Sequence, residues 1–369
     1  MSKVRAVLLD VFDTVLSVDF DAALDGLAAG SVISRDDWMT GLRLHSHDLM
    51  TGAISPELLV GVDAYDQFNN LQGCVNDVTA LHPVLARNED GTVNFACETL
   101  DTGTGRVTRD GLLGHVKRLL APGADVALFY FAGHGSGDGD VTLVTSDGTR
   151  DTLGVTIAEV LGLVEKSPVP EINIVLDCCF AGGAGVVPQL GSMGAFLKPG
   201  LSILTASRGD QTSAETPDNR GLFSWYLCAA LDGGAADVRG NVGLAGIWAY
   251  LTESFGPWEQ RPTLKANIER AHVLRACNPS VSDSTLRRLA SWFPTPEHEF
   301  PLDPSYEDTA GLGNEANEAV FKQLQRCSYV KLVEPVDEEY MYFAAMNSKA
   351  CRLTALGRHY RRLAEEERL

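Results

Sequence analysis

Through the middle of the chain, short runs that are apolar at every position alternate with longer stretches that are apolar only every third or fourth residue. Residues 126–131 (VALFYF) and 172–176 (INIVL) have no polar face, which is the pattern of strands covered on both sides in a parallel sheet. Around them the spacing predicts strands at 58–62, 93–100 and 201–205. Helices are predicted at 74–85, 109–120, 157–165, 222–231 and 244–255. Pro122-Gly123 closes the second helix and Ser167-Pro168 the third. Alternating strands and helices predict an α/β domain with a mainly parallel sheet flanked by helices, over residues 56–277.

The two ends are patterned differently. Residues 1–55 hold one apolar run, 6–9, followed by helical spacing through Leu24, Leu27, Trp38 and Leu42. Residues 278–310 read as a linker, because the stretch 293–308 is rich in proline and acid. Residues 311–369 predict a helix at 314–327, two strand-like pieces at 330–333 and 340–344, and a last helix at 354–367. A chain of 369 residues exceeds what one core usually supports, in keeping with more than one domain.

Composition narrows the classes of function. The formal net charge of −19 opposes binding to nucleic acid or anionic membranes, and it suits a basic or neutral partner. No apolar stretch approaches the roughly 20 residues a membrane helix needs. Asp10 and Asp13 interrupt the amino terminus before a signal-like segment could finish. Cys74, Cys97, Cys178, Cys179, Cys228, Cys277, Cys327 and Cys351 lack the paired spacing of a zinc site. A cytoplasmic protein with free thiols is the expectation.

The two buried runs lead into the chemically loaded segments AGHGS and DCCFAGG. In a parallel sheet both carboxyl ends lie on one edge, where open α/β proteins bind ligands. His134 and Cys179 are therefore expected together, with the imidazole drawing the proton from the thiol. Gly133 and Gly135 remove side chains that would obstruct a peptide. The amides of Gly135 and Cys179 are candidates for an oxyanion site.

The segments FYFAGHGS and LDCCFAGG resemble the histidine and cysteine motifs of the caspase and metacaspase peptidases. The histidine lies 45 residues before the cysteine, near the caspase spacing of about 50. LLVGVDAYDQFNNLQGCVNDV, SILTASRGDQTSAE and GLFSWYLCAAL are similar to further segments of that group. The resemblance implies that Cys179 is the nucleophile and that Cys178 packs into the sheet. It also implies that Cys74, Asp77 and Asp177 line a pocket for a basic residue, so cleavage is expected after Arg or Lys. Ala132 stands where relatives often carry serine.

Family members often mature by cutting the loop after the cysteine. Lys198, the only basic residue of the segment 182–200, is the expected autocleavage site. Asp138, Asp140, Asp147 and Asp151 offer oxygen ligands of the kind calcium takes. Their spacing matches neither an EF-hand nor the calcium-dependent metacaspases, so they read as solvated turns; no cofactor is expected, and calcium activation stays an open alternative.

Outside the central domain, LLDVFDTVL resembles the nucleophile strand of haloacid-dehalogenase-type hydrolases, with Asp10 at the nucleophile position. Phe12 replaces the acid/base aspartate of the phosphatases in that family, so the segment is expected to be non-catalytic. The carboxyl-terminal pattern of helix, ribbon and helix resembles a winged helix. Arg352, Arg358, Arg361 and Arg362 make its last helix basic before Glu365 to Glu367 reverse the sign. With the acidic whole, this favours a regulatory protein partner over nucleic acid. The resemblance to bacterial caspase-like proteins suggests a regulated effector in defence or programmed death. A non-catalytic caspase-like binding or signalling protein is the alternative, and a phosphatase acting through Asp10 is a third.

Overall fold

The computed structural model describes residues 5–9, 15–19, 55–136, 141–178, 197–206, 219–256, 262–269 and 272–369. At the amino terminus, β1 (Arg5–Leu9) and β2 (Val15–Asp19) pair antiparallel, with Arg5 opposite Asp19. The apolar run thus forms a strand, but its described neighbour is the second arm of a hairpin. Asp10 and the helical spacing from residue 20 onward lie outside the described residues.

The central domain begins with β3 (Ser55–Gly61), α1 (Cys74–Ala86), β4 (Phe95–Asp101), α2 (Arg109–Leu119) and β5 (Val126–Ala132). A small antiparallel sheet follows, built from β6 (Gly135–Ser136), β7 (Thr142–Val144) and β8 (Gly154–Thr156). Then come α3 (Ile157–Lys166), β9 (Glu171–Asp177), β10 (Leu201–Thr205), α4 (Leu222–Ala229), β11 (Asn241–Gly243) and α5 (Leu244–Ser254). The domain closes with β12 (Thr263–Asn267) and β13 (Val273–Ala276). Helix starts carry their own signals: Thr108 accepts from the Gly111 amide, and Thr156 with Glu159 forms a reciprocal capping box.

The main sheet runs in the order β12-β10-β9-β5-β3-β4. Its strands are parallel except β12, which is antiparallel to β10. Every residue of β5 and β9 is buried, as the uninterrupted apolar runs require. On one face Phe129, Phe131, Ile174 and Leu176 pack against α2 and α3 through Leu112, Val116, Val160 and Val164. On the other, Leu128, Tyr130 and Val175 meet Leu81 of α1, Phe223 and Leu227 of α4, and Ile247 of α5.

The carboxyl-terminal unit holds α6 (Asp283–Trp292), β14 (Glu299–Pro301), α7 (Glu315–Tyr329), β15 (Val333–Val336), α8 (Met341–Met346), β16 (Ala350–Leu353) and α9 (Ala355–Glu365). Two expectations are corrected here. The stretch expected as a linker contains α6, and Leu286, Leu289, Phe293 and Leu302 enter a third core with Phe321, Leu324 and Leu353. Residues 340–344, expected as strand, belong to α8, because burying Met341, Ala344 and Ala345 requires helical spacing.

The basic stripe expected of the last helix is divided: Arg352 lies in β16, and of the helix arginines Arg361 is taken up within the fold. Arg361 is buried, donates to the Phe293 and Pro294 carbonyls and pairs with Glu365. Arg352 pairs with Glu334.

Candidate active site

The register of the two central strands decides what can meet at the carboxyl edge. β5 and β9 run side by side from Val126 opposite Glu171 to Ala132 opposite Asp177. Just past that last pair, the Gly133 amide donates to the Asp177 carbonyl at 3.3 Å. His134 therefore stands at the edge where β9 ends. Cys178 is described and buried on the face carrying Phe131 and Leu176. Cys179 lies outside the described residues.

His134 is held from three sides. Its amide donates to the Tyr65 hydroxyl at 2.8 Å, its carbonyl accepts from the Val144 amide at 3.0 Å, and its Nε2 stands 2.8 Å from the Asn69 carbonyl. A carbonyl can only accept, so Nε2 carries a proton in that contact, and a neutral ring then has its lone pair on Nδ1. The rings of Tyr65 and His134 stand 4.8 Å apart. The Tyr65 hydroxyl in turn donates to the Val62 carbonyl at 2.8 Å. Neither Tyr65 nor Asn69 stands out in the sequence; a backbone carbonyl leaves no residue-type signal at all.

The role expected of Gly133 needs correction. A Cβ there would meet the Tyr65 hydroxyl at 2.9 Å and the Phe131 ring at 3.0 Å. Its lack of a side chain thus admits the internal Tyr65 contact, rather than clearing a path for a peptide. Gly135 opens β6 opposite Leu143.

On the other face of the same edge, Cys74, Asp77 and Asp177 gather as a buried acidic cluster. Cys74 and Asp77 lie in the first turn of α1, whose end is capped not by Asp77 but by Asp63. The Asp63 carboxylate accepts from the Cys74 and Val75 amides at 2.9 and 3.1 Å. Asp77 instead accepts from the Gly221 amide at 3.1 Å, and the Nε of Arg220 lies 3.5 Å from its Oδ1. Asp177 accepts from the Ser224 hydroxyl at 2.6 Å. Gly221 stands between the two acids: a Cβ there would lie 2.7 Å from the Asp177 Oδ2 and 3.0 Å from the Asp77 Oδ2.

Burial governs the electrostatics of this cluster. It raises the Asp177 carboxyl to about 6, against the hydrogen bonds from Ser224. Burial, then repulsion from Asp177, pushes Asp77 to about 8, against the Gly221 amide and Arg220. The Cys74 thiol is pushed up by burial and by Asp63, so it is no competing nucleophile.

The other expected residues fall elsewhere. Lys198 precedes β10 at the opposite, amino edge of the sheet, and its ammonium donates to the Val164 and Ser167 carbonyls at 3.3 and 2.6 Å. Asp147 accepts from Thr145 and from the Arg109 amide at the start of α2, and Asp151 lies in an exposed turn. Asp138 and Asp140 lie outside the described residues. Among the described residues no group of three His, Cys, Asp or Glu side chains is arranged to hold a metal, and no helix is long and apolar enough to cross a membrane.

The domain is thus a mainly parallel α/β sheet with a histidine at its carboxyl edge beside a buried acidic cluster. The caspase-domain family profile matches residues 58–267, more than half of the chain, and the chain belongs to that family. It is 26% identical over 157 residues to metacaspase-1 of Schizosaccharomyces pombe, covering 38% of this chain and 37% of that protein. The chain thus spans little more than a third of the length of this curated relative. Among solved structures it is similar to caspase-1 from Spodoptera frugiperda, at 13% identity over 62% of this chain and 94% of that one, with a TM-score of 0.46. A protein from Geobacter sulfurreducens matches at 15% identity over 61% of this chain and 98% of its own, also with a TM-score of 0.46.

Proposed function

We propose that the protein is a cysteine endopeptidase that cleaves peptide bonds after Arg or Lys, with Cys179 as nucleophile and His134 as general base. The observation that carries this reading is the strand register. It ends at Ala132 opposite Asp177, and the sequence runs two residues further to His134 on one strand and two to Cys179 on the other. The Asn69 contact supports it by leaving Nδ1 as the basic nitrogen.

In this reaction Nδ1 accepts the thiol proton and the Cys179 sulfur bonds to the scissile carbonyl carbon. The carbonyl oxygen becomes an oxyanion facing the amides of Gly135 and Cys179. As the tetrahedral intermediate collapses, the carbon–nitrogen bond breaks and the imidazolium gives its proton to the leaving amine. Water, deprotonated by the same imidazole, then attacks the thioester and frees the thiol. No cofactor is needed, since the histidine itself supplies the base. The basic side chain of the substrate enters the recess of Cys74, Asp77 and Asp177.

The expectations of a cytoplasmic setting, a regulatory protein partner for the carboxyl-terminal unit and a bacterial effector role belong to this proposal too. The chemistry is tested by profiling cleavage of a peptide library with wild type, Cys179→Ala and His134→Ala. Cleavage after Arg and Lys by wild type, lost by at least about 10³-fold in either variant, is expected. Undiminished cleavage by Cys179→Ala would overturn the assignment.

A further inference from the structure

Behind the acidic cluster runs a chain of buried hydroxyls that the catalytic steps do not use. The Tyr130 hydroxyl lies 2.6 Å from the Ser224 Oγ, and the Ser224 hydroxyl lies 2.6 Å from the Asp177 Oδ2. Tyr130 is 1% exposed and Ser224 is fully buried, so water cannot substitute for either partner. An ionised carboxylate only accepts, so Ser224 donates its single proton to Asp177. Its oxygen is then left to accept from Tyr130. The chain is thereby directed, Tyr130 to Ser224 to Asp177, and each bond polarises the next.

Both hydroxyls of this chain are fixed by regular structure. Tyr130 sits in the fully buried strand β5, and Ser224 is the third residue of α4. The preceding Gly221 donates to Asp77. The first turn of α4 therefore addresses both acids: a backbone amide serves Asp77, and Asp177 has the Ser224 backbone amide and, in addition, a hydroxyl backed by a phenol.

We propose that Ser224, oriented by Tyr130, is the positioning residue that holds Asp177 turned into the recess as its standing anion, and so sets the preference for a cationic side chain. The proposal rests on the basic-pocket reading above and names the residues that make it work. Among the described residues, the groups facing Asp177 are Asp77 and Cys74 from α1, Tyr130 from β5 and Ser224 from α4, while Arg220 addresses Asp77. Of the two acids, the one served by the hydroxyl chain is the one held closer to the ordinary carboxylate range.

The test compares Ser224→Ala, Ser224→Thr and Tyr130→Phe with wild type, all as the full chain, on an Arg-containing peptide over pH 5 to 9. Expected for Ser224→Ala are a KM raised about tenfold, for the loss of a hydrogen bond to a charged group, a kcat within about twofold, and an acid limb moved to higher pH. Ser224→Thr restores the wild-type profile and Tyr130→Phe falls between. The rate of Cys179 alkylation by iodoacetamide, which needs no side-chain pocket, stays at the wild-type value. An unchanged KM with an unmoved acid limb would overturn the proposal, and so would an alkylation rate that falls in step with turnover. If wild type cleaves nothing after Arg or Lys, the basic-pocket reading has failed. Carbon-13 titration of the Asp177 carboxyl then decides the positioning role: an upward shift in Ser224→Ala sustains it, and no shift ends it.

Discussion

Asp77 and Asp177 are buried side by side, though each would keep its charge at less cost in water. Desolvation raises both, and the hydrogen bonds from Ser224 leave Asp177 at about 6 while Asp77 is pushed to about 8. Near neutral pH the two acids accordingly share net negative charge, the proton being held more tightly at Asp77 than at Asp177. Falling pH protonates Asp177 and removes the partner of an incoming cation, so kcat/KM for an Arg substrate is expected to fall as pH drops through about 6. Asp177→Asn should cost at least about a hundredfold on Arg and Lys substrates and abolish that acid limb. A limb unchanged in Asp177→Asn would assign it to another group. A third buried acid makes a stability prediction. Glu57 is buried, burial raises it to about 8, and the Cys97 thiol donates to its carboxylate. Its folded-state value lies above its unfolded one, so the folded chain binds the extra proton and stability falls as pH rises from 5 to 8. The loss is on the order of 3 kcal/mol. Glu57→Gln should flatten that dependence in urea unfolding followed across the same range. At this scale the edge position of His134 was legible from the strand pattern, whereas Asp77 and Asp177 were singled out through the family resemblance. The Asn69 carbonyl, Tyr65 and Ser224 were not legible, because their roles come from where the fold puts a backbone oxygen or an ordinary hydroxyl.

Elements were legible wherever one period dominated. The unbroken runs of β5 and β9 and the capped helix α3 fall within a residue or two of their expected bounds. They fixed the parallel order that brings the edge residues together. The misreadings occur where composition and periodicity disagree. Aromatic residues at Tyr340, Tyr342 and Phe343 suggest a strand, yet the buried set of Met341, Ala344 and Ala345 closes only on a helix. Pro294 and Pro296 suggest a linker, yet the ten residues before Phe293 form the amphipathic helix α6. The lead-in to α4 illustrates how an element positions chemistry: Gly221 is its N-cap, and a methyl group there would strike both acids. Gly221→Ala is therefore expected to raise KM for Arg substrates by about tenfold or more, equivalent to about 1.4 kcal/mol. Thermal stability measured alongside separates this from unfolding. An unchanged KM would mean that the acids can part without losing the cation.

Across the whole molecule, the two edges of the sheet are assigned to different tasks. Cleavage is proposed at the carboxyl edge, beside His134, whereas Lys198 enters β10 at the amino edge with its ammonium tied to the carbonyls that close α3. Leu201 pairs with Ile172, and β9 runs on to Asp177 before the active edge is reached. At 3.3 Å per residue, that separates the lysine from the edge histidine by roughly 20 Å of packed sheet. Self-cleavage after Lys198 within one folded molecule would need β10 to leave the sheet, along with the buried Leu201, Ile203 and Leu204. The cut expected from the loop composition should therefore occur between molecules, one chain presenting Lys198 to the edge of another. Its rate should rise with the square of protein concentration, and active protein should cut the Cys179→Ala chain when the two are mixed. Intact-mass measurements across a tenfold dilution series decide the order. A cleavage half-life independent of concentration would show that β10 does leave the sheet, and would place maturation among the unfolding motions of the domain rather than among its encounters.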